Sequence, residues 1–267
     1  MSVLETTDTA SAGPVLVRRD GPEARITLNR PAQRNALSLA LMGRVIAALD
    51  ELGADRDVRA IVIEGAGPAF CAGHDLAEMT NRDVGFYQHV FDVCTQMMEA
   101  LHRVPQPVIA RVHGIATAAG CQLVAACDLA VASSDARFAT PGVKIGLFCS
   151  TPMVPLSRAI GRKRALEMLL TGVPIDAATA LDWGLLNRVV PVDALDATVS
   201  ELVTAIARSS SLTVGIGKRA FHDQIDLDES RAYDLTKTVM AMNMLTADAQ
   251  EGIGAFLHKR EPTWTGR

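Results

Sequence analysis

The chain has 267 residues, 49% of them hydrophobic and only 4% aromatic, and a formal net charge of −4. That length allows one large domain, or one domain with an added helical lobe, around an aliphatic core. The negative balance argues against a nucleic-acid partner that needs a broad basic field, and leaves room for a local basic pocket facing a phosphorylated ligand.

In chain order, residues 1–14 (MSVLETTDTASAGP) lack a basic region followed by an apolar one and carry no Arg before Arg18, unlike a signal or transit peptide; they are expected to be a disordered lead. PVLVRRD and ARITLN then predict two strands joined at Asp20-Gly21-Pro22. SLALMGRVIAALDELGAD predicts a helix with Ser38 as N-cap, Leu41, Val45, Ala48 and Leu52 at helical spacing, and Gly53 near its end. RAIVIEG predicts a buried strand, VGFYQHVFDVCTQMMEALHRV a long helix, PVIARVHG and DLAVASS two further strands. Strands separated by helices of this length suggest βαβ units with right-handed crossovers, an α/β core over residues 15–200. From Ser157 onward the patterns are mostly helical, with only LNRVV reading as a strand, and residues 201–267 are expected to form a helical C-terminal region. No apolar run reaches the roughly 18 residues of a membrane helix, so no membrane association is expected.

Several weak signals do not carry a function. GAG at Gly65–Gly67 follows a strand, but lacks the rest of a dinucleotide fingerprint and puts Pro68 where a phosphate-binding helix would start. GIGK at Gly215–Lys218 lacks the phosphate-loop spacing. The six histidines show no metal-binding spacing, so no metal is expected. Cys71, Cys94, Cys121, Cys127 and Cys149 are odd in number, include no CxxC and have apolar neighbours, which predicts reduced buried thiols in a cytoplasmic setting.

Two segments share one design. IVIEGAGPAFCAGHDL and VIARVHGIATAAGCQL each run from a buried strand through small residues, the second into a probable helix start. Small side chains at a strand end expose backbone N–H groups, and two such groups converging on one carbonyl oxygen stabilise an oxyanion by about 3 kcal/mol each. The same residues also suit tight strand-to-helix packing with no chemistry at all.

ITLNRPAQRNALS, AFCAGHDL, HGIATAAGCQLVAACDLAVAS, FATPGVKIGL, LTGVPIDAATALDWGLLNRVVP and EGIGAFLHKREPTW follow one another in an order and spacing that resembles the enoyl-CoA hydratase/isomerase (crotonase) superfamily from about Val15 to Trp264. CAGHDL, ATAAGCQL, FATPGV and GLFCSTP are similar in particular to its enoyl-CoA hydratase domain-containing protein 3 subgroup. The resemblance implies a crotonase-like spiral of ββα units, a helical C-terminal trimerisation region, and a homotrimer or dimer of trimers. It implies an acyl-CoA ligand of fatty-acid metabolism, nominal enoyl-CoA hydratase (lyase) activity, and no cofactor beyond the CoA carried by the substrate. The thioester oxygen would sit between the backbone N–H groups of His74 and Ala119, the latter followed by Gly120. The adenine would lie against Ala72, Gly73, His74, Asp75 and Leu76. Arg34 would meet CoA phosphates, and Phe256 and Lys259 would close over CoA from a neighbouring subunit or the C-terminal helix.

The sequence departs from that family where acid–base chemistry is expected. Two glutamates activate water and deliver a proton in the family's hydratases; their positions match Gln122 and Gly142. An amide cannot relay a proton at neutral pH, and Gly142 is expected to leave open space. Three readings follow: an acyl-CoA enzyme, hydratase, isomerase or hydrolase, with acid–base groups relocated to His74, Asp75 or Glu78; a catalytically silent acyl-CoA binder; or an enzyme whose space at Gly142 takes an exogenous group. A structural trimer that has lost its ligand is the reading from a different class.

Overall fold

The structure, a computed structural model, describes residues 13–267. The expected lead therefore lies outside the described residues except for Gly13 and Pro14. Val15–Asp20 (β1) and Glu23–Leu28 (β2) form an antiparallel hairpin through Gly21 at φ +56°. Ala60–Gly65 (β3), Val108–Val112 (β4), Leu129–Ser133 (β6) and Arg188–Val190 (β9) add in parallel, giving a six-stranded sheet in the order β1-β2-β3-β4-β6-β9. Ile61 and Ile63 point to one face and Ala60 and Val62 to the other, all fully buried, because helices cover both sides.

Ile115–Thr117 (β5), Arg137–Ala139 (β7) and Ile175–Asp176 (β8) form a second sheet in the order β5-β7-β8. Chain order alternates between the sheets: β4 to β5, then helix Ala119–Ala126 (α3), then β6 to β7. This is the expected ββα spiral, and it stacks the loop after each large-sheet strand on that of its neighbour. The small strands escape pattern reading because two or three residues hold no periodicity.

Helices Leu39–Gly53 (α1) and Val84–Arg103 (α2) pack on the inner face of the large sheet with α3. Ser38 caps α1, its hydroxyl accepting from the Leu41 N–H at 3.2 Å, and Asp83 caps α2, accepting from Phe86 at 2.8 Å. Leu195–Ala207 (α7) covers the outer face, placing Leu195, Val199 and Val203 on Ala60, Val62, Ile109 and Val131. The boundary expected between residues 200 and 201 lies within α7, whose Leu195, Val199 and Val203 pack on the sheet.

Met153–Ala159 (α4) and Arg162–Thr171 (α5) lie between β7 and β8, and Ala177–Trp183 (α6) between β8 and β9; beyond α7, Ser211–Gln224 (α8), Glu229–Met244 (α9) and Ala247–Leu257 (α10) form the helical C-terminal region. Lys218, the lysine of the GIGK motif, anchors α8 to the core. Its Nζ lies 2.7 Å from Asp128 Oδ2 and donates to the carbonyls of Leu101 and Gln106 at 2.6 and 2.8 Å. Burial alone would raise the Asp128 pKa; His222 and Lys218 overcome it and hold it below the usual carboxylate value. Of the GIGK glycines, Gly215 lies against Pro105, whereas Gly217 faces open space.

Candidate active site: two backbone loops and two absent carboxylates

The loop after β3 is fastened to β5, the strand that leads into α3, mainly by backbone groups. Cys71 N–H donates to Ile115 O at 3.1 Å, Thr117 N–H to Cys71 O at 2.9 Å, and Thr117 Oγ1 to Ala72 O at 3.0 Å. The approach tolerates no side chains at two points. A Cβ on Gly120 would meet Cys71 O at 2.1 Å, and one on Gly73, at φ +99°, would meet Ala118 Cβ at 2.8 Å and Ala119 N at 3.4 Å. The small residues of both loops are therefore what permits contact between them.

This contact brings together the two expected oxyanion donors. Ala119 is the first residue of α3, so its N–H has no intrahelical acceptor. Among the described residues neither it nor the His74 N–H donates to a protein acceptor. Ala118, just before Ala119, stands at φ +51°, ψ −119°, a conformation that glycine favours and that costs about 1–3 kcal/mol. The turn is held by the Ala118 N–H donating to Ala139 O at 2.8 Å, and it aims the start of α3 toward the His74 loop.

The loops also have a brace that pattern reading missed. Asn35, fully buried at φ +57°, donates from Nδ2 to Ala66 O and Ala69 O at 2.9 and 2.8 Å and accepts from Arg30 N–H at 2.9 Å. Arg30 lies 2.8 Å from Asp75, and Glu78 accepts from the Leu39 N–H at 3.0 Å. Asp75 and Glu78, expected as alternative acid–base groups, are thus tied to the frame: one by an arginine, the other by the start of α1. The only signal in the sequence was an Asn shortly after Pro31 and just before α1, a residue type that tolerates left-handed backbone.

Gln122 is buried on α3, with its Oε1 4.0 Å from Cys94 Sγ of α2. It lies where a side chain on the second turn of α3 faces α2, and it carries no carboxylate. The expectation of open space at Gly142 is corrected. A Cβ there would come 2.5 Å from Leu147 O and 2.8 Å from Cys149 Sγ, because the chain folds back and the Leu147 N–H donates to Gly142 O at 3.0 Å. The region is filled by this chain's own backbone and thiol, so no exogenous acid–base group fits directly beside Gly142. Burial raises the Cys149 thiol, and pushes Cys71, Cys94 and Cys121 up to about 12, so all four stay protonated at neutral pH.

His74 is the one remaining titratable candidate. Its ring packs edge-on against Phe91 of α2, with centroids 5.5 Å apart. Both ring nitrogens are buried with no hydrogen-bond partner among the described residues. Burial lowers its pKa to about 4, only partly offset by the neighbouring Leu37 backbone, which makes no well-formed hydrogen bond to the ring, so the imidazole is neutral near pH 7.

Of the residues expected to hold CoA, Ala72, Gly73, His74, Asp75 and Leu76 share the first loop, with Leu76 49% exposed at its rim. Arg34 precedes Asn35 at φ +50°, and its backbone carbonyl accepts from the Ala72 N–H at 3.0 Å, which places it beside that loop. Phe256 and Lys259 stay apart from it within this chain: α10 packs on α8 and α9, and Phe256 is 83% exposed. Among the described residues no group of three or more His, Cys, Asp or Glu is placed to hold a metal ion, and no helix is long and apolar enough to cross a membrane.

Comparison with known proteins places this architecture. The family model described as enoyl-CoA hydratase/isomerase matches residues 22–267. Human enoyl-CoA hydratase domain-containing protein 3, mitochondrial, is 47% identical over 243 residues, which cover 90% of this chain and 80% of that protein. The crystal structure of human enoyl coenzyme A hydratase domain-containing protein 3 superposes with a TM-score of 0.91 at 46% identity, over 94% of this chain and all of the other. An enoyl-CoA hydratase structure from Mycobacterium smegmatis gives 0.93 at 50% identity, covering 95% of this chain and 99% of that one. The human relative and its rat counterpart are named mitochondrial, which overturns the cytoplasmic expectation. Reduced buried thiols, on which that expectation leaned, report a reducing environment and do not distinguish one such compartment from another.

Proposed function

Because this chain belongs to the enoyl-CoA hydratase/isomerase family, we propose that it binds acyl-CoA thioesters and polarises their carbonyl. Its nominal reaction, hydration of trans-2-enoyl-CoA, runs far below the rate of a hydratase that carries both glutamates. The observation that carries this reading is the contact of the two loops at Gly73 and Ala119, beside the uncommitted N–H groups of His74 and Ala119. A thioester oxygen seated there accepts from both, and the positive end of α3 adds to the field. These donors are backbone atoms, so the loss of the family's carboxylates leaves them in place.

Proton transfer is the weak half. Addition of water to the β-carbon needs a base for the water and an acid for the α-carbon. Gln122 offers an amide that can orient water without titrating, and the region beside Gly142 is occupied. Each lost general acid or base lowers rates by about 10²–10⁴-fold, and two lost together need not multiply. Ala72, Gly73, Asp75, Leu76 and Gly120 form the loops around the ligand, and Arg34 meets its phosphates. Phe256 and Lys259 reach it from a neighbouring subunit of a homotrimer or dimer of trimers. No cofactor is needed beyond the CoA that the substrate carries.

The test pairs calorimetric titration with butyryl-CoA and a hydration assay on crotonyl-CoA. Saturable binding with hydration reduced by at least about 10²-fold relative to a two-glutamate relative is the expected result. Rates equal to such a relative would overturn the kinetic half of the reading, and absence of binding would overturn the ligand.

A further inference from the structure

Away from the candidate site, α8 meets the ends of two core helices. α2 ends at Arg103 and α3 at Ala126, and the last carbonyls of a helix have no acceptance partner within it. Side chains supply two of the missing donors. Lys218 of α8 donates to Leu101 O of α2, and His102 Nε2 of α2 lies 2.9 Å from Ala126 O of α3. A carbonyl only accepts, so His102 Nε2 carries the hydrogen, and a proton added to this ring goes to Nδ1. His222 of α8 lies flat on the same ring, with centroids 4.0 Å apart and planes at 17°. Its Nε2 is 3.0 Å from Asp128 Oδ1, and the other oxygen of Asp128 holds Lys218 at 2.7 Å.

This stack accommodates one positive charge far better than two. Each ring stands in the last turn of its helix, where the dipole favours a proton. Only one carboxylate, Asp128, faces the rings, and Lys218 already pairs with it. The other charges nearby are engaged elsewhere: Glu99 pairs with Arg103 at 3.9 Å, Arg219 with Asp223 at 3.0 Å, and burial keeps the Cys127 thiol protonated. Among the described residues neither ring makes another hydrogen bond or ion pair. A second proton would therefore set two like charges face to face with no carboxylate left to meet it. Burial, helped by His222 and Lys218, lowers the His102 pKa from its ordinary value against the opposing effects of Ala126 O and Asp128. Both rings are only part-buried, so protons from solvent reach them.

We propose that the His102–His222 stack is an acid-sensitive catch on the C-terminal helical region: it holds α8 on the ends of α2 and α3 while at most one ring is charged, and releases α8 when both are. α9 and α10 follow α8 in the chain and pack on it, so its release loosens the whole region. α3, which the catch grips at its last turn, carries Ala119 and Gln122 in its first two. The sign follows from the lowered His102 pKa. The released ring binds a proton more readily than the docked one, so the catch holds above the ordinary value of 6.5 and weakens as pH falls below it, by at most about tenfold per pH unit.

The experiment is hydrogen exchange read by mass spectrometry on the full-length protein at pH 7 and pH 5, with rates corrected for the intrinsic effect of pH. The protection of α8 is divided by that of α1, which cancels any loss shared by the whole fold. Asp128, held below the usual carboxylate value, stays charged at both pH values and keeps Lys218 in place. In wild type the α8-to-α1 ratio is expected to fall by about tenfold at pH 5. In His102→Gln, whose amide can still donate to Ala126 O and takes no charge, the ratio is expected to stay within about twofold of its pH 7 value. His222→Gln, which keeps a donor for Asp128, is expected to do the same and serves where the first variant fails to fold. A wild-type ratio that does not fall overturns the proposal with no need for a variant. A fall of wild-type size in either folded variant assigns the release to another group and overturns it as well.

Discussion

The two loops proposed to hold the thioester oxygen and the two positions, Gln122 and Gly142, where the family resemblance places carboxylates are built in opposite ways. The loops are built from backbone and kept in place at every contact: glycine where Cys71 O approaches, Asn35 bracing the turn, Ala118 held in a conformation that glycine favours. The acid–base positions depend on side chains, and both lack the carboxylate; one holds an amide, the other is closed by Leu147 and Cys149. A function vested in backbone persists as long as the fold does, whereas one vested in a side chain is lost by a single substitution. On the proposed reading, polarisation of a carbonyl is separated from transfer of a proton.

That contrast can be broken most strongly at Gly120. Gly120→Val forces a side chain into Cys71 O and should cost more than about 4 kcal/mol or abolish soluble protein, read by thermal unfolding. Normal stability would mean that the loops are not in tight contact. Next comes Gly142→Glu, the change that restores the family's second carboxylate. Overpacking against Leu147 and Cys149 should cost about 1–3 kcal/mol, and crotonyl-CoA hydration should not rise. A stable variant that gains activity would show that the region opens.

A smaller effect belongs to His74. Its folded pKa, about 4, lies below the ordinary 6.5, so the unfolded chain binds the proton more readily. Its contribution to stability is present above pH 6.5 and is lost as pH falls toward 4, by at most about 3 kcal/mol. Denaturant titrations of wild type and His74→Phe between pH 7 and 4 should diverge in that window, wild type losing more; parallel curves would contradict the burial of the ring. The smallest effect is at Ala118. Ala118→Gly relieves the backbone strain against the greater entropy of an unfolded glycine, for a net gain of about 1 kcal/mol and a melting temperature higher by about 2–4 °C. An unchanged or lower melting temperature would mean that the turn stores no strain.

Much of this arrangement was legible in the sequence. Ser38, the long α2 and the buried strands followed from capping and periodicity, and the two small-residue loops marked themselves by composition. The β5, β7 and β8 strands did not, since three residues or fewer carry no period. Gln122 and Gly142 were found as departures from a family pattern. Whether a glycine opens space or lets the chain close in depends on residues that follow it in the fold, here Leu147 and Cys149, and a motif does not record that. Asp75 and Glu78 looked available for chemistry because their partners, Arg30 and the Leu39 N–H, are distant in sequence. The isolation of the His74 ring emerged only from the packing of Phe91.

The central claim is that two backbone N–H groups polarise a thioester without an acid–base pair beside them. Infrared difference spectroscopy of butyryl-CoA labelled with ¹³C at the thioester carbonyl tests it most directly. The account predicts that the carbonyl stretch of the bound ligand moves to lower frequency than in water, as two hydrogen bonds at a helix start weaken the C=O bond. A bound thioester whose stretch stays at its solution value or rises would contradict it.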